Sequence, residues 1–461
     1  MSRVLLTLAV AWLAVGGVTG QQAPAGPPAQ GRAGGTAPPA PPDPTVVGRT
    51  PEGFTLRLAK KTGHISNYNE SIVPAYTLPD PLVMSDGRPV RTATDWRARR
   101  SELLKVYEED IFGRVPANAP KVQWTVASTD AGAREGAVLR RVVGTIGAGA
   151  NAPTINLNVY TPAGVTRPVP VILLVNFGGG PARGTGAAIA PGAGAAGRAG
   201  QAGGAGRGNA APGEPPVAAE ILARGWGYAT VGYADIQPDR ANSFTEGVIG
   251  TTLAPGQSKP APGEWGTISA WAWGISRIID YFETDRSIDA TKVAVQGFSR
   301  LGKTVLWAGA MDDRIAAVFS GCAGEMGSSL SRRDFGETVD DMAQNYHWQF
   351  GSRFQQWVGR WNDMPVDAHM LIALSAPRPV FITGGTTDQW SDPKGEFLAQ
   401  VAASPVYELL GAKGLGATEL PPVDMTLATG DLGWHYHTGG HTLTVDEWKA
   451  FLTFMDRYFT N

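Results

Sequence analysis

The chain of 461 residues holds a single cysteine, Cys322. That excludes an intrachain disulfide, a CxxC redox pair and a cysteine-cluster zinc site. It also lacks an excess of either charge: 39 Lys+Arg stand against 41 Asp+Glu, net −2. A nucleic-acid binder needs a basic surplus for phosphate contacts, so this balance argues against nucleic acid as a partner. Charged residues are scarce at 17% while hydrophobic residues make up 43%, a composition that buries a large core and excludes wholesale disorder. Beyond the N-terminus no segment reaches about 18 uncharged apolar residues, so no membrane span is expected. No repeat of solenoid period occurs.

Glycine (60), proline (35) and tryptophan (14) are plentiful. Most tryptophans are expected in the core, a few in a sugar-binding cleft. Much of the Gly/Pro excess falls in two stretches: a Pro/Gly/Ala-rich linker over 21–43, and a Gly/Ala-rich loop insertion at about 182–216. Residues 1–20 carry one positive charge, a short apolar run and a small-residue exit, which reads as a signal peptide for export. The folded domain is therefore expected over 44–461.

Within it, residues 121–161 alternate apolar and polar in three runs, as antiparallel strands do. Continuous apolar runs of strand length follow at Val169–Asn176, Tyr228–Tyr233, Val293–Gln296, Ala317–Ser320 and Pro379–Thr383. Helical patterns lie around them at Val217–Arg224, Thr267–Glu283, Gly302–Met311, Met364–Leu374 and Val445–Phe459. Buried strands alternating with helices imply a mostly parallel sheet covered on both faces. Antiparallel strands first and parallel ones after is the order of an α/β-hydrolase, whose chemistry sits at the carboxyl ends of the strands.

A short apolar strand runs into Gly297-Phe298-Ser299, and a helix begins at once. This is the setting in which a serine is held on a sharp turn with its hydroxyl above the sheet. The helix N-terminus offers backbone N–H groups to an oxyanion. The general motif wants glycine two residues after the serine, but Leu301 stands there and Gly302 comes one later. A plain helix-capping serine is the competing reading. The segment Val175–Gly180, glycine-rich after a buried strand, is a second candidate for the oxyanion region.

The string Gly297-Phe298-Ser299-Arg300-Leu301-Gly302-Lys303 resembles the signature of the glucuronoyl esterases, carbohydrate esterase family fifteen. So do Glu264–Gly274, Leu306–Ala310, Leu330–Thr338 and Gly395-Glu396-Phe397, and the likeness covers most of 80–460. The resemblance implies Ser299 as nucleophile, Arg300 as an oxyanion donor, and Lys303 and Trp390 as contacts of a uronic acid. The family's glutamine in the substrate site corresponds to Gln344. Its partner glutamate eight residues on has no counterpart, since Ser352 stands there.

The base should lie late in the chain, in the order Ser…Asp/Glu…His. Three of the six histidines cluster there, His435, His437 and His441. His441, on a loop tip after Gly439-Gly440, is chosen over His437. Some family members carry the acid just after the strand that follows the nucleophile helix, a slot filled here by Cys322. A thiol does not serve as that anion unless its pKa is strongly lowered. Other members carry an aspartate after the next parallel strand instead, which the resemblance places at Asp388; Asp388 is therefore assigned, with Glu325 in reserve. The expected activity is serine-dependent cleavage, through an acyl-enzyme, of the ester between (4-O-methyl-)glucuronic acid of xylan and lignin alcohols. No metal or organic cofactor is expected, and a monomer is. Another carbohydrate esterase, such as an acetyl-sugar deacetylase, and a non-catalytic cell-wall carbohydrate binder on a decayed hydrolase remain open.

Overall fold

The computed structural model describes residues 43–134, 136–178 and 213–459. The expected signal peptide, the linker up to residue 42 and the insertion from 182 to 212 lie outside the described residues. What is described belongs to one unit, Pro42–Asn461.

The chain opens with a small antiparallel sheet, β1 (Val46–Arg49), β2 (Thr55–Ala59) and β3 (His64–Ile65). The main sheet follows: β4 (Val122–Arg134), β5 (Ala137–Ile146), β6 (Thr154–Pro162), β7 (Val169–Asn176), β8 (Gly227–Gly232), β9 (Ile288–Phe298), β10 (Ala317–Gly321), β11 (Val380–Gly385), β12 (Thr426–Leu427) and β13 (Leu432–His437). Their order is β12-β13-β11-β10-β9-β7-β8-β6-β5-β4. The pairs β4–β5, β5–β6 and β6–β8 are antiparallel, and every neighbour from β8 to β13 is parallel.

This is the α/β-hydrolase fold, and the central strands show why their sequence is continuously apolar. Alternate residues of one strand point to opposite faces, and both faces are covered. Val171, Leu173 and Val175 of β7 enter a core with the helices Thr267–Phe282 and Arg300–Met311, whereas Ile172 and Leu174 enter a second core with Ala218–Ala223 and Val445–Met455. The carboxyl ends of β9, β10, β11 and β13 therefore emerge side by side along one edge.

One long helix, Pro393–Leu409, is absent from the helical patterns read in the sequence. Asp392 is its N-cap, with its side chain accepting from Gly395 N at 3.0 Å and Pro393 in the first turn. Proline fits there because the first helical N–H groups have no partner to lose.

Candidate active site

β9 delivers Ser299 into a sharp reversal. Its backbone sits at φ 60°, ψ −127°, outside the ordinary regions for a side-chain-bearing residue, and its N–H is tied to Gly321 O at 2.8 Å. Strained backbone of this kind persists only where the surroundings over-determine it. Gly297 makes the reversal physically possible, since a Cβ there would lie 2.1 Å from Leu301 O. Gly302 explains the displaced second glycine of the motif. A Cβ at Gly302 would press on Ser320 Oγ (2.9 Å) and Ala323 Cβ (3.0 Å), so the glycine lets the helix lie against β10, while Leu301 is buried in the core.

His441 stands on the loop after β13, which is stitched to the loop after β11 by Thr387 N to Gly439 O (2.7 Å) and Gly439 N to Thr386 Oγ1 (3.0 Å). Across that seam His441 Nδ1 meets Asp388 Oδ2 at 2.7 Å, with the carboxylate buried and the imidazole about one-third exposed. The Nδ1–H donates to the carboxylate, leaving Nε2 as the basic ring nitrogen. Phe298, the residue before the serine, packs on the ring at 4.6 Å between centroids. Ser299, Asp388 and His441 line one open cleft.

The alternatives go elsewhere. His437 is buried, with Nδ1 on Glu447 Oε1 (2.8 Å) and Nε2 on Gly440 O (3.1 Å). Burial opposes its charge, but the bond to Glu447 outweighs that and raises its pKa. It braces the histidine loop and leaves no nitrogen for a proton transfer. His435 Nδ1 is 2.7 Å from Thr426 Oγ1. Glu325 is bonded by Ser331 Oγ at 2.5 Å, and burial pushes its carboxyl well above the usual range. It is absent from the cleft lining.

Cys322 occupies the cleft at φ 45°. Burial, reinforced by the nearby carboxylates of Asp388, Glu396 and Glu447, drives its pKa well above the ordinary value, and its Sγ lies 3.7 Å from Thr442 O. A thiol kept protonated does not compete with Asp388 as the anion. Cys322, Asp388 and His441 also form the group of possible metal ligands among the described residues, their donor atoms within 4.8 Å of one another. A metal would require the thiolate that this environment disfavours and would displace the Nδ1 proton.

The cleft as a whole spans about 710 Å³, counting space open to solvent, and the rest of its lining is largely polar and aromatic. The Arg300 guanidinium bonds to Asp239 through Nη1 and lies over the rings of Tyr346 (5.4 Å) and Phe177 (6.0 Å). Asp239 is fixed in turn by Trp348 Nε1 (2.7 Å) and Gln349 Nε2 (2.8 Å). Lys303 Nζ donates to Ala323 O and reaches Glu337 Oε2 at 3.5 Å, and Trp390 Nε1 donates to Glu337 Oε1 at 2.8 Å. Phe177 ends the described part of the Val175–Gly180 segment together with Gly178; Gly179 and Gly180 lie outside it.

Gln344 needs correction. Its amide bonds outward to β2, receiving Lys60 N at 2.8 Å and donating to Leu58 O at 3.3 Å, and it does not line the cleft. The polar side chains that do line it there are Glu337 and Gln349. Glu337 stands in the quoted Leu330–Thr338 string, immediately before the Thr338/Asp341 capping box, but sequence spacing alone gives it no role.

A serine on a strained strand–helix turn, at the carboxyl edge of an α/β-hydrolase sheet beside a histidine–aspartate pair, defines the class of carboxylic ester hydrolases. Comparisons with known proteins narrow the class. A family model described as "Glucuronyl esterase, fungi" matches residues 261–411. The chain is 40% identical over 428 residues to Carbohydrate esterase MZ0003 of an unknown prokaryotic organism, covering 91% of this chain and 95% of that one. It is 28% identical over 344 residues to the 4-O-methyl-glucuronoyl methylesterase of Phanerochaete carnosa, covering 72% of each. The solved structure of a glucuronoyl esterase from Solibacter usitatus superposes with a TM-score of 0.75 at 37% identity, over 85% of this chain and all of that one. The chain belongs to the glucuronoyl esterases, carbohydrate esterase family 15.

Proposed function

We propose that Ser299, His441 and Asp388 form the catalytic triad of an exported esterase that cleaves the ester between (4-O-methyl-)glucuronic acid of xylan and an alcohol of lignin. The observation that carries this reading is the Nδ1–carboxylate bond of His441 and Asp388 in the same cleft as the strained serine. Ser299 Oγ attacks the ester carbonyl while His441 Nε2 takes its proton, then returns it to the departing alcohol. Water enters, gives its proton to the same nitrogen and attacks the acyl-enzyme, releasing the uronic acid and restoring the serine. The first N–H groups of the Arg300–Met311 helix and the Arg300 guanidinium receive the oxyanion; a single such donor is worth roughly 3–4 kcal/mol. Lys303, Glu337 and Trp390, linked to one another, face the uronate ring and its hydroxyls. The N-terminal charge–apolar–small pattern supports export.

The test compares hydrolysis of benzyl glucuronate with that of an acetylated xylose. Benzyl glucuronate is expected to react far faster, and Ser299→Ala to abolish the reaction while labelling by a fluorophosphonate is lost. Faster turnover of the acetyl ester would replace this reading with that of a deacetylase. Failure of a fluorophosphonate to label the wild type would remove the catalytic one.

A further inference from the structure

The family model spans 261–411 and stops short of the N-terminal sheet β1–β3, yet the segment that carries this sheet is wired into the cleft wall. Gly336, next to Glu337, donates its N–H to Asn67 O at 2.7 Å, and Asn67 Nδ2 returns a bond to Asp334 O at 3.2 Å. Gly336 sits at φ 66°, and a Cβ there would be 2.4 Å from Gln389 O and 2.6 Å from Trp390 O. The strip bearing Glu337 and the strip bearing Trp390 are therefore pressed together, with the N-terminal segment behind the first.

One side chain of that sheet contacts a residue that lines the site. Arg57, on β2, places its guanidinium 5.4 Å from the centroid of the Trp390 ring. Its Nη1 is held by Asp43 Oδ2 (2.7 Å) and Thr45 Oγ1 (3.3 Å), and its side chain is 10% exposed. The Trp390 indole is thus gripped at two points, by a cation on its face and by Glu337 on its N–H. A tethered cation over a ring is attractive and directional, and burial strengthens it.

We propose that Arg57 is a positioning residue for the sugar-binding wall: it fixes the Trp390 indole, and through it Glu337, in the orientation that receives the uronate ring. The inference rests on the function proposed above. It makes the N-terminal sheet a determinant of recognition of the acid portion and leaves the ester chemistry at Ser299 untouched.

Two measurements test it. In the first, kcat and KM of the full chain are determined on benzyl glucuronate and on p-nitrophenyl acetate, an ester without a sugar, for wild type, Arg57→Ala, Arg57→Met and Arg57→Lys. Arg57→Ala and Arg57→Met are expected to raise KM for the glucuronate about three- to ten-fold, the size of one cation–aromatic contact, with kcat within about two-fold. Hydrolysis of p-nitrophenyl acetate should stay at the wild-type level, and Arg57→Lys should recover much of the KM. Equal losses on both esters, or no change on either, overturn the proposal. In the second, a double-mutant cycle of Arg57→Met and Trp390→Phe is read by thermal unfolding, with no substrate present. Non-additive Tm changes support the contact, and additive ones overturn it. If the wild type hydrolyses p-nitrophenyl acetate but not benzyl glucuronate, the proposed substrate fails, and the cycle alone still decides whether Arg57 holds Trp390.

Discussion

At the scale of residues, the acid of the proposed triad is the point on which the proposed chemistry turns. In the proposed triad, Asp388 does two things through one 2.7 Å bond: it sets the His441 tautomer and would stabilise the imidazolium formed during attack. Asp388→Asn should therefore keep the fold and lose about 10³- to 10⁴-fold in kcat, as when an amide replaces the acid of a serine triad; a loss below ten-fold in a steady-state assay would reassign the acid. Cys322 gives the complementary experiment. Its donor atom lies within 4.8 Å of those of His441 and Asp388, so a carboxylate introduced there is within reach of the same imidazole. In an Asp388→Ala background, Cys322→Glu should restore at least ten-fold of the lost kcat, whereas Cys322→Ser should restore none. The thiol itself is 1% exposed and its pKa is raised, chiefly by burial, so iodoacetamide should leave the native enzyme unlabelled and fully active, and label it once denatured. Rapid alkylation of the folded protein would contradict both its burial and its protonation.

At the scale of elements, the sequence makes plain those parts whose local pattern and tertiary role agree. β7 is apolar from Val169 to Val175 because both its faces are buried, and its limits are read correctly for that reason. The nucleophile turn is legible because a strand, a glycine and a helix start coincide within a few residues. Gly297 carries that geometry, and Gly297→Ala, with its new Cβ against Leu301 O, should destabilise the fold by about 3 kcal/mol and abolish esterase activity; an unchanged Tm with full activity would show that the turn relaxes. What pattern cannot supply is the direction a polar side chain takes once elements pack. Gln344 and Gln349 are both plausible amides in one polar stretch, and only the docking of the Val339–Asn345 helix on β2 turns the first away from the cleft. Pro405 inside Pro393–Leu409 hides that helix in the same way, because a local helix breaker is overridden by packing against β11. β1 to β3 are too short to announce themselves, although they brace the cleft wall.

At the scale of the whole molecule, several carboxylic acids are buried, among them Glu396, Asp341 and Glu325. Glu396 is fully buried, with Oε1 receiving Gly324 N (2.9 Å) and Ser328 Oγ (2.7 Å) from the loop after β10. Burial, with Asp388 and Asp392 nearby, pushes its carboxyl up to about 8 from an ordinary 4.5. Folded, it keeps its proton to about pH 8; unfolded, it releases it near 4.5. Its favourable contribution is therefore fully present below about 4.5, is lost progressively as pH rises, and levels off above about 8. Asp341, raised to about 6 chiefly by burial, acts in the same sense. His369 and His435, lowered chiefly by burial, act in the opposite sense, losing stability as pH falls through the ordinary histidine range, so the wild-type profile sums competing groups. Comparison with Glu396→Gln isolates the one carboxyl, because glutamine keeps an oxygen for Gly324 and Ser328 and has no proton to lose. Denaturant unfolding of the two proteins should give a difference that moves in favour of the variant between pH 5 and 8, by up to about 1.4 kcal/mol per unit, and stops changing above that. A difference independent of pH would mean that Glu396 is ionised in the native protein, and that its charge is balanced by a partner other than the two donors seen here.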